Sequence, residues 1–416
     1  MKEQIESQNT EKNLFLKNLL QGIEVEYESI GNLITRVREK GKQDDKIKTV
    51  YSVSNLLGLV KAEDFRKNTI HSSNTSNYTI VKQGMFAYNP ARLNIGSIGY
   101  FKNDLSGLVS PMYVVFKIDK NRILKEYLYL FIKSKYCINK INSLTESGAR
   151  FRFDFERWGL INIPLPPIPV QKEIVRILDK FTKHKAELIA ELTARKQQYI
   201  YYREQLFSFE ESEVDWKSLN EIGEFQRGKR FVRTDLISQG VPTIHYGEMY
   251  THYGTWAAET KSFVSEELVK NKNLRVAEKG DVIIVAAGET IEDLGKGTAW
   301  LGNEGVVIHD ACFSFRSPLH PKYVAYFTRT RQYHDQIRKH ISSGKISAIN
   351  SKGLSKVIIP VPSKDEQERI ITILDKFDIL TTSISEGLPK EIELRKKQYE
   401  YYRDLLLTFP KDNIEE

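Results

Sequence analysis

The sequence predicts an α+β fold in which two tandem-duplicated domains are separated by long antiparallel coiled-coil helices, with pseudo-two-fold symmetry. Three observations support this prediction: a block of sequence that occurs twice, a heptad pattern that continues from each copy, and short β-type runs that precede each copy. A chain of 416 residues is also longer than one typical domain.

The repeat is clearest in two pairs of segments. Residues 163–181 read IPLPPIPVQKEIVRILDKF, and residues 359–377 read IPVPSKDEQERIITILDKF. Residues 195–203, RKQQYIYYR, recur 200 positions later as RKKQYEYYR. Self-similarity at a fixed offset is the signature of a duplicated architecture. The chain is therefore interpreted as a tandem duplication.

An apolar heptad pattern runs through both copies. Steps of four and three residues keep one seam facing a partner helix, which predicts a helix from about Val170 to Leu206 and coiled-coil packing. In the second copy the seam shifts by four residues at Gly387-Leu388-Pro389, where we expect a break or kink. A plain helical hairpin filling a core is the alternative. The residues predicted to pack at the seam are Ile174, Leu178, Phe181, Leu188, Leu192, Tyr199, Tyr202, Ile370, Leu374, Phe377, Tyr399, Tyr402 and Leu406.

The remaining segments are rich in short β-type runs, such as residues 113–116, 281–285 and 306–308, followed by helical stretches at about 123–142 and 319–342. Each half is predicted to be an α+β domain with a mixed or antiparallel sheet. The predicted boundaries are 1–162 for the first domain with a short N-terminal helix, 163–212 for the central helix, 213–358 for the second domain and 359–416 for the C-terminal helix.

Bulk composition limits the class of protein. The net charge of +8 suits a nucleic-acid partner without demonstrating one. The chain has no apolar run of membrane-spanning length, and its N-terminus is polar, so we expect a cytoplasmic protein. Cys137 and Cys312 lie far apart, which predicts two buried thiols and no cysteine zinc site.

Basic, amide and aromatic residues cluster in glycine-containing loops of both halves. Arginine and asparagine read base edges in the major groove, and lysine holds phosphates. Taken singly, each is also an ordinary surface residue, and the tyrosines also suit a core. The candidate DNA contacts are Tyr88, Asn89, Arg92, Asn94, Arg150, Arg152, Arg227, Lys229, Arg230, Arg233, His245, Tyr246, Lys296 and Lys345.

The sequence contains no recognisable catalytic centre. Residues 88–91, YNPA, lack the second proline and the aromatic residue of a methyltransferase site. Residues 295–298, GKGT, place a glycine where a phosphate-binding loop needs serine or threonine. The histidines show no metal-ligand spacing. We therefore expect no bound cofactor, no metal and no enzymatic activity.

The chain resembles the specificity subunits of type I restriction–modification systems over essentially its full length. The resemblance is carried by residues 360–367, 370–377, 387–393 and 395–403, by the first-copy counterparts, and by residues 245–248 and 288–293. It implies two target-recognition domains that each bind one half of a split double-stranded DNA target. It also implies partners: two modification subunits that bind S-adenosylmethionine and methylate adenine, and motor-nuclease subunits that use ATP.

Two other functions remain open from the sequence. A coiled-coil scaffold whose divergent domains bind proteins would show the same helical seams. A fused enzyme with methylation built in would need the cofactor loop that the sequence lacks. The steep salt dependence of phosphate contacts separates DNA binding from protein binding.

Overall fold

The computed structural model describes residue 20 and residues 23–43, 46–65, 74–145, 151–288, 290–344, 346–383 and 385–409. The expected N-terminal helix, Arg150 and Lys345 lie outside the described residues. Contacts divide the chain into two compact units, one formed by Met1–Glu187 with Ile392–Glu416 and the other by Leu188–Glu391.

The first domain contains two four-stranded sheets and a two-stranded ribbon. Its strands are β1 Glu26–Ser29, β2 Ile34–Val37, β3 Val50–Ser54, β4 Gly58–Lys61, β5 Thr79–Val81, β6 Phe86–Tyr88, β7 Ile98–Tyr100, β8 Gly107–Val109, β9 Val114–Ile118 and β10 Asn162–Leu165. The sheets have the orders β2-β9-β6-β7 and β4-β3-β8-β5, and β1 pairs with β10. β3 and β8 are parallel, and the other pairs are antiparallel.

The helices of this part of the chain are α1 Ile30–Leu33, α2 Ala62–Phe65, α3 Lys125–Ile132, α4 Lys135–Ser143 and the long α5 Ile168–Leu206. α3 packs into the apolar core of this domain through Tyr127, Leu128 and Phe131, and α4 through Ile141, all fully buried. Trp158 lies in the same apolar core.

The second domain repeats this plan. Its strands are β11 Asp215–Ser218, β12 Glu224–Arg227, β13 Val241–Ile244, β14 Trp256–Ala257, β15 Ser262–Val264, β16 Val276–Ala277, β17 Val282–Val285, β18 Ala287–Gly288, β19 Gly297–Trp300, β20 Val306–Ile308, β21 Cys312–Arg316, β22 Ser347–Ala348 and β23 Ile358–Val361. Its helices are α6 Leu219–Ile222, α7 Tyr246–Thr251, α8 Glu266–Lys272, α9 Pro321–Phe327, α10 Arg331–Arg338 and α11 Ser351–Ser355.

The strand order of the two domains corresponds. The second domain has sheets β12-β21-β17-β19-β14 and β15-β13-β20-β16, with ribbons β11-β23 and β18-β22. The pair β13–β20 is parallel, as is β3–β8 in the first domain. β14 adds a further parallel strand to the edge of the larger sheet. Duplication and the mixed α+β character are therefore confirmed, although each domain contains two sheets where one was expected.

A buried glutamine holds each long helix to its domain. Gln171 accepts a hydrogen bond from the Leu124 backbone N–H at 2.9 Å and donates one to the Pro166 carbonyl at 2.8 Å. Its repeat counterpart Gln367 accepts from the His320 N–H at 2.9 Å and donates to the Pro362 carbonyl at 2.9 Å. Buried backbone groups require partners of this kind, which gives these two glutamines a clear structural role.

The C-terminal helical region consists of α12 Lys364–Thr382 and α13 Gly387–Thr408. The expected break near Gly387 is confirmed, and this glycine has φ +73°, a conformation that favours glycine. Pro389 then lies within the first turn of α13, where a missing N–H costs little. Gly387 and Pro389 are therefore compatible with the end of α12 and the start of α13.

The helical stretches predicted at about 123–142 and 319–342 are present. Each consists of two short helices, α3 and α4 in the first domain and α9 and α10 in the second. The Ser134 hydroxyl accepts from the Cys137 N–H, and the Thr330 hydroxyl accepts from the Tyr333 N–H. These side chains cap new helices. Cys137 and Cys312 are buried free thiols, as expected.

Candidate nucleic-acid interface

The second domain holds a basic loop against the turn between β20 and β21. The Gly228 N–H donates to the Cys312 carbonyl at 3.0 Å, and the Lys229 N–H donates to the Ile308 carbonyl at 3.2 Å. A Cβ at residue 228 would lie 2.2 Å from the His309 carbonyl oxygen, so this close approach needs glycine. The loop carries the predicted residues Arg227, Lys229, Arg230 and Arg233.

An aromatic cluster lies beside this loop. The ring of His309 lies 4.7 Å from that of His245, 5.0 Å from that of Tyr246 and 5.1 Å from that of Phe231. Tyr250 joins through an edge contact with Tyr246 at 6.5 Å. Phe231 is fully buried, whereas Tyr246 is exposed. The cluster therefore has an apolar base and an accessible aromatic surface.

Both imidazoles of the cluster are shielded from solvent. Burial lowers the pKa of His245 and also the pKa of His309. The Nε2–H of His309 donates to the Phe231 carbonyl at 3.0 Å, and its Nδ1 lies 3.1 Å from the Ala311 nitrogen and 3.0 Å from Oδ1 of Asp310. Nδ1 of His245 accepts from the Gly247 N–H at 3.3 Å. His245 is therefore assigned the Nε2–H tautomer, which presents a hydrogen-bond donor.

Positive charge surrounds these rings. Arg227 is anchored by its Nε, which donates to the Asp310 carbonyl at 3.0 Å, and the Lys229 ammonium reaches the Lys272 carbonyl at 3.4 Å. Arg230 and Arg233 are exposed. Arginines beside donors and aromatic faces suit phosphates and base edges together. The structure therefore brings the predicted basic loop and the His245–Tyr246 pair into one surface.

The loop after β17 lies against the same cluster. The Tyr250 hydroxyl donates to the Ala287 carbonyl at 3.2 Å. β18 pairs with β22 through Gly288 and Ser347, which places the Gly344 loop nearby in the fold. Lys296 lies at the far end of the loop after β17 and forms a 2.6 Å ion pair with Asp293. Its ammonium is thereby neutralised within the chain, and its DNA contact stays a prediction.

The first domain brings together two of the predicted segments. The Phe153 N–H donates to the Pro90 carbonyl at 3.0 Å, which joins the segment around Arg152 to the loop after β6. Arg92 is exposed, and Arg152 forms a 3.0 Å ion pair with Asp154. The predicted amides behave differently: Asn89 is half-buried and accepts from the Ala91 N–H, and Asn94 is also half-buried.

The structure corrects the prediction that Tyr88 contacts DNA. Its side chain is fully buried, and its hydroxyl donates to the Phe153 carbonyl at 3.2 Å. Its ring packs edge-on against Trp158 at 5.9 Å. Burial also raises the pKa of this hydroxyl. Tyr88 is therefore a core residue of the first domain and is not accessible to DNA.

The predicted seam residues lie in two helix-packing regions. In the first unit, Ile174, Leu178 and Leu406 are fully buried, and Phe181 stacks on Tyr402. Tyr399 packs against the same core. In the second unit, Ile370 and Leu374 are fully buried in the core against which Tyr199 packs. The ring of Phe377 stacks with those of Tyr199 and Tyr202, while Leu188 is buried and Leu192 half-buried.

Sequence reasoning missed Phe231, Tyr250 and His309. Phe231 is an apolar residue within the basic loop, Tyr250 lies in α7 and His309 directly follows β20. Aligning the two halves by strand order identifies His309, because it follows β20 just as residue 110 follows β8. Within the described ranges, no group of histidine, cysteine and carboxylate side chains could hold a metal ion. No helix in that part of the chain is long and apolar enough to span a membrane.

The comparisons with known proteins agree with this architecture. The model of the type I restriction modification DNA specificity domain matches residues 23–195 and again residues 211–394. The chain is 33% identical over 419 residues to the type I restriction enzyme EcoR124I/EcoR124II specificity subunit of Escherichia coli, covering 95% of this chain and 97% of that protein. It is 25% identical over 321 residues to the MjaVIII specificity subunit of Methanocaldococcus jannaschii, covering 73% and 74%.

A solved structure has a similar fold. The HsdS subunit from Thermoanaerobacter tengcongensis aligns with a TM-score of 0.53 at 15% identity, covering 93% of this chain and 98% of that chain. A chain from a study of complex assembly and conformational transition of the type I R-M system aligns with a TM-score of 0.65 at 14% identity, covering 92% and 97%. The chain therefore belongs to the specificity subunits of type I restriction–modification systems, the non-catalytic components that recognise DNA and act together with other subunits.

Proposed function

We propose that each domain binds one half of a split DNA target and that the long helices set the distance between the halves. The proposal rests on the observation that two domains of the same strand order expose different side chains at corresponding strand ends. Similar scaffolds with unlike loops favour recognition of two different short sequences. By the spacing logic of paired readers, the unread gap is roughly half to one helical turn, at about 10 bp per turn.

In this proposal the chain directs chemistry that its partners perform. Two modification subunits bind S-adenosylmethionine and methylate adenine, and motor-nuclease subunits use ATP. Neither cofactor binds this chain. In support, residues 297–300 form strand β19, whereas a phosphate-binding loop leads into a helix. Equilibrium dialysis of the purified chain against S-adenosylmethionine tests this point, and saturable binding by the chain alone would contradict it.

Lengthening α5 tests the spacing role of the helices. Insertion of one heptad between Phe181 and Arg195 preserves the seam and adds about 10 Å at about 1.5 Å per residue. The methylated motif of the host genome is then expected to keep both half-sites and to change its gap. A heptad substituted without change of length serves as the control. A gap that stays unchanged after the insertion contradicts the spacing role.

Salt dependence separates DNA binding from a scaffold that binds proteins. Phosphate contacts release counterions, so the logarithm of the affinity for duplex DNA should fall linearly with the logarithm of salt concentration, with a slope of about −0.9 per contact. The exchange Arg230→Ala should make this slope shallower by about one contact. A slope near zero for the wild-type chain would favour the scaffold.

A further inference from the structure

The first domain has an exposed apolar hairpin tip where the second domain has His245 and Tyr246. β3 and β13 occupy the same position in their sheets, each parallel to the next strand in the order. Leu56 and Leu57 follow β3, and they are 84% and 69% exposed. The repeat therefore places two leucines at the position of the second domain's accessible aromatic surface.

The hairpin tip is held in one conformation by its own residues. The Ser54 hydroxyl accepts from the backbone N–H groups of Leu56 and Leu57 at 3.3 and 3.2 Å. Gly58 closes the three-residue loop with φ +74°, as such hairpins require. The Lys133 ammonium donates to the Asn55 carbonyl at 2.5 Å. Two exposed leucines on a loop fixed in this way are suited to contact a binding partner.

The leucines share one end of their sheet with basic residues. β3 and β8 are parallel, so the segments that follow both strands leave from the same end. The Gly41 N–H donates to the Tyr78 carbonyl at 2.7 Å, and Thr79 pairs with Val109, the last residue of β8. This places residues 41 and 42, which follow β2, at that end as well. The exposed Lys42 side chain and the Lys133 ammonium on the Asn55 carbonyl give this end of the sheet positive charge complementary to DNA.

We propose that Leu56 and Leu57 are specificity-determining residues of the first domain and that they recognise thymine methyl groups of one half-site in the major groove. This inference rests on the proposed function. The 5-methyl of thymine is the apolar feature of the major groove, and side chains recognise it by apolar contact. Lys42 binds a flanking phosphate. Leu56 and Leu57 thus provide apolar recognition in the first domain where the second offers hydrogen bonding and aromatic surface.

The experiment uses the full chain and duplexes that it selects from a random-sequence library. In the selected duplex, thymines of one half-site at a time are replaced by deoxyuridine, which lacks the methyl group. The selection is repeated with the double variant Leu56→Ala/Leu57→Ala. The half-site whose selected sequence changes is assigned to the first domain. Deoxyuridine in that half should weaken wild-type binding by about threefold or more, since a buried methyl contributes on this scale. The same duplex should leave the binding of the double variant unchanged.

Two matched variants complete the test. Leu105→Ala changes a leucine that is 83% exposed and lies before β8, at the opposite end of that strand, so it should bind like the wild type. The double variant should keep the wild-type salt slope, whereas Lys42→Ala should make it shallower by about one contact. Thermal unfolding of each variant should match the wild type because the altered side chains are exposed.

Three results would overturn the inference. In the first, the double variant binds DNA with wild-type affinity and selects the same sequence, while Arg230→Ala still weakens binding. This result would leave the proposed function intact. Another is equal affinity of the wild type for thymine and deoxyuridine duplexes. A third is unchanged DNA selection with loss of partner-subunit association, which would make the tip a protein-docking site. If neither the leucine variant nor Arg230→Ala affects DNA binding, the proposed function itself fails.

Discussion

Phe181 stacks on Tyr402 with ring centroids 5.3 Å apart and ring planes 23° from parallel. The repeat counterparts, Phe377 and Tyr202, stack at 5.5 Å and 28°. In each unit, the phenylalanine of one sequence copy therefore meets the tyrosine of the other copy. This reciprocal pairing requires both copies of the repeat to complete each helix-packing region.

The Phe181–Tyr402 pair should be energetically coupled. We expect Phe181→Ala and Tyr402→Ala each to lower the free energy of unfolding by about 2–4 kcal/mol, with a coupling of about 1 kcal/mol in a double-mutant cycle. Urea denaturation of the full chain measures these values. Leu394→Ala, at a residue 51% exposed, is the control and should change little. Strict additivity would show that the stacking has no energetic role.

The buried glutamines should stabilise their domains through their amide groups. Gln171→Leu removes the acceptor of the Leu124 N–H and leaves that half-buried donor without its partner, at an expected cost of about 1–3 kcal/mol. Gln367→Leu should act in the same direction on the second unit. Exposed Gln197→Leu is the matched control. Denaturant midpoints equal to that of the wild type would contradict the assigned role.

Gly228 should be needed for the position of the basic loop. In Gly228→Ala the new Cβ meets backbone oxygens, so the loop must move, and duplex binding should weaken at least tenfold with some loss of stability. Gly254→Ala is the control because a Cβ there has nothing within 4 Å. Affinity for a fixed duplex, measured by fluorescence anisotropy, distinguishes the two. Equal affinity for both variants would remove this loop from the interface.

The second unit should lose stability in mild acid through His334. Burial lowers the pKa of this imidazole to about 4, below the unfolded value near 6.5. As the pH falls, the unfolded chain takes up the proton first, so stability is complete above about pH 6.5 and declines between about 6.5 and 4. Partial exposure reduces the effect to roughly 1–3 kcal/mol. His334→Gln should flatten this part of the unfolding profile, and an unchanged profile would contradict the assignment.

The sequence predicts the parts of the fold that depend on local periodicity. The buried seam at Ile174 and Leu178 and the break before Gly387 both follow from spacing and from helix chemistry. The residue on which Phe181 stacks cannot be predicted from the sequence. Both copies of the repeat have the same apolar pattern, so the pattern does not show which helix packs against which. Only the tertiary structure selects Tyr402.

The candidate site was predicted less completely for a related reason. Tyr88 and Tyr246 were both predicted as candidate DNA contacts, yet one is buried beside Trp158 and the other exposed beside His309. Their difference arises from long-range packing. The clustered basic residues of the loop at Arg227–Arg233 could be recognised from the sequence. Leu56 and Leu57 carry no charge, and only the strand order of the duplicated sheets identifies them as candidates.

Exchange of residues 213–358 with those of a related specificity subunit tests the central claim most directly. The measurement is the position of methylated adenine across the genome of a host that carries the chimera and its partner subunits. We expect one half of the methylated motif to change to that of the donor, while the other half stays as it was. A change in both halves, or in neither, would contradict the account in which each domain reads its own half of the target.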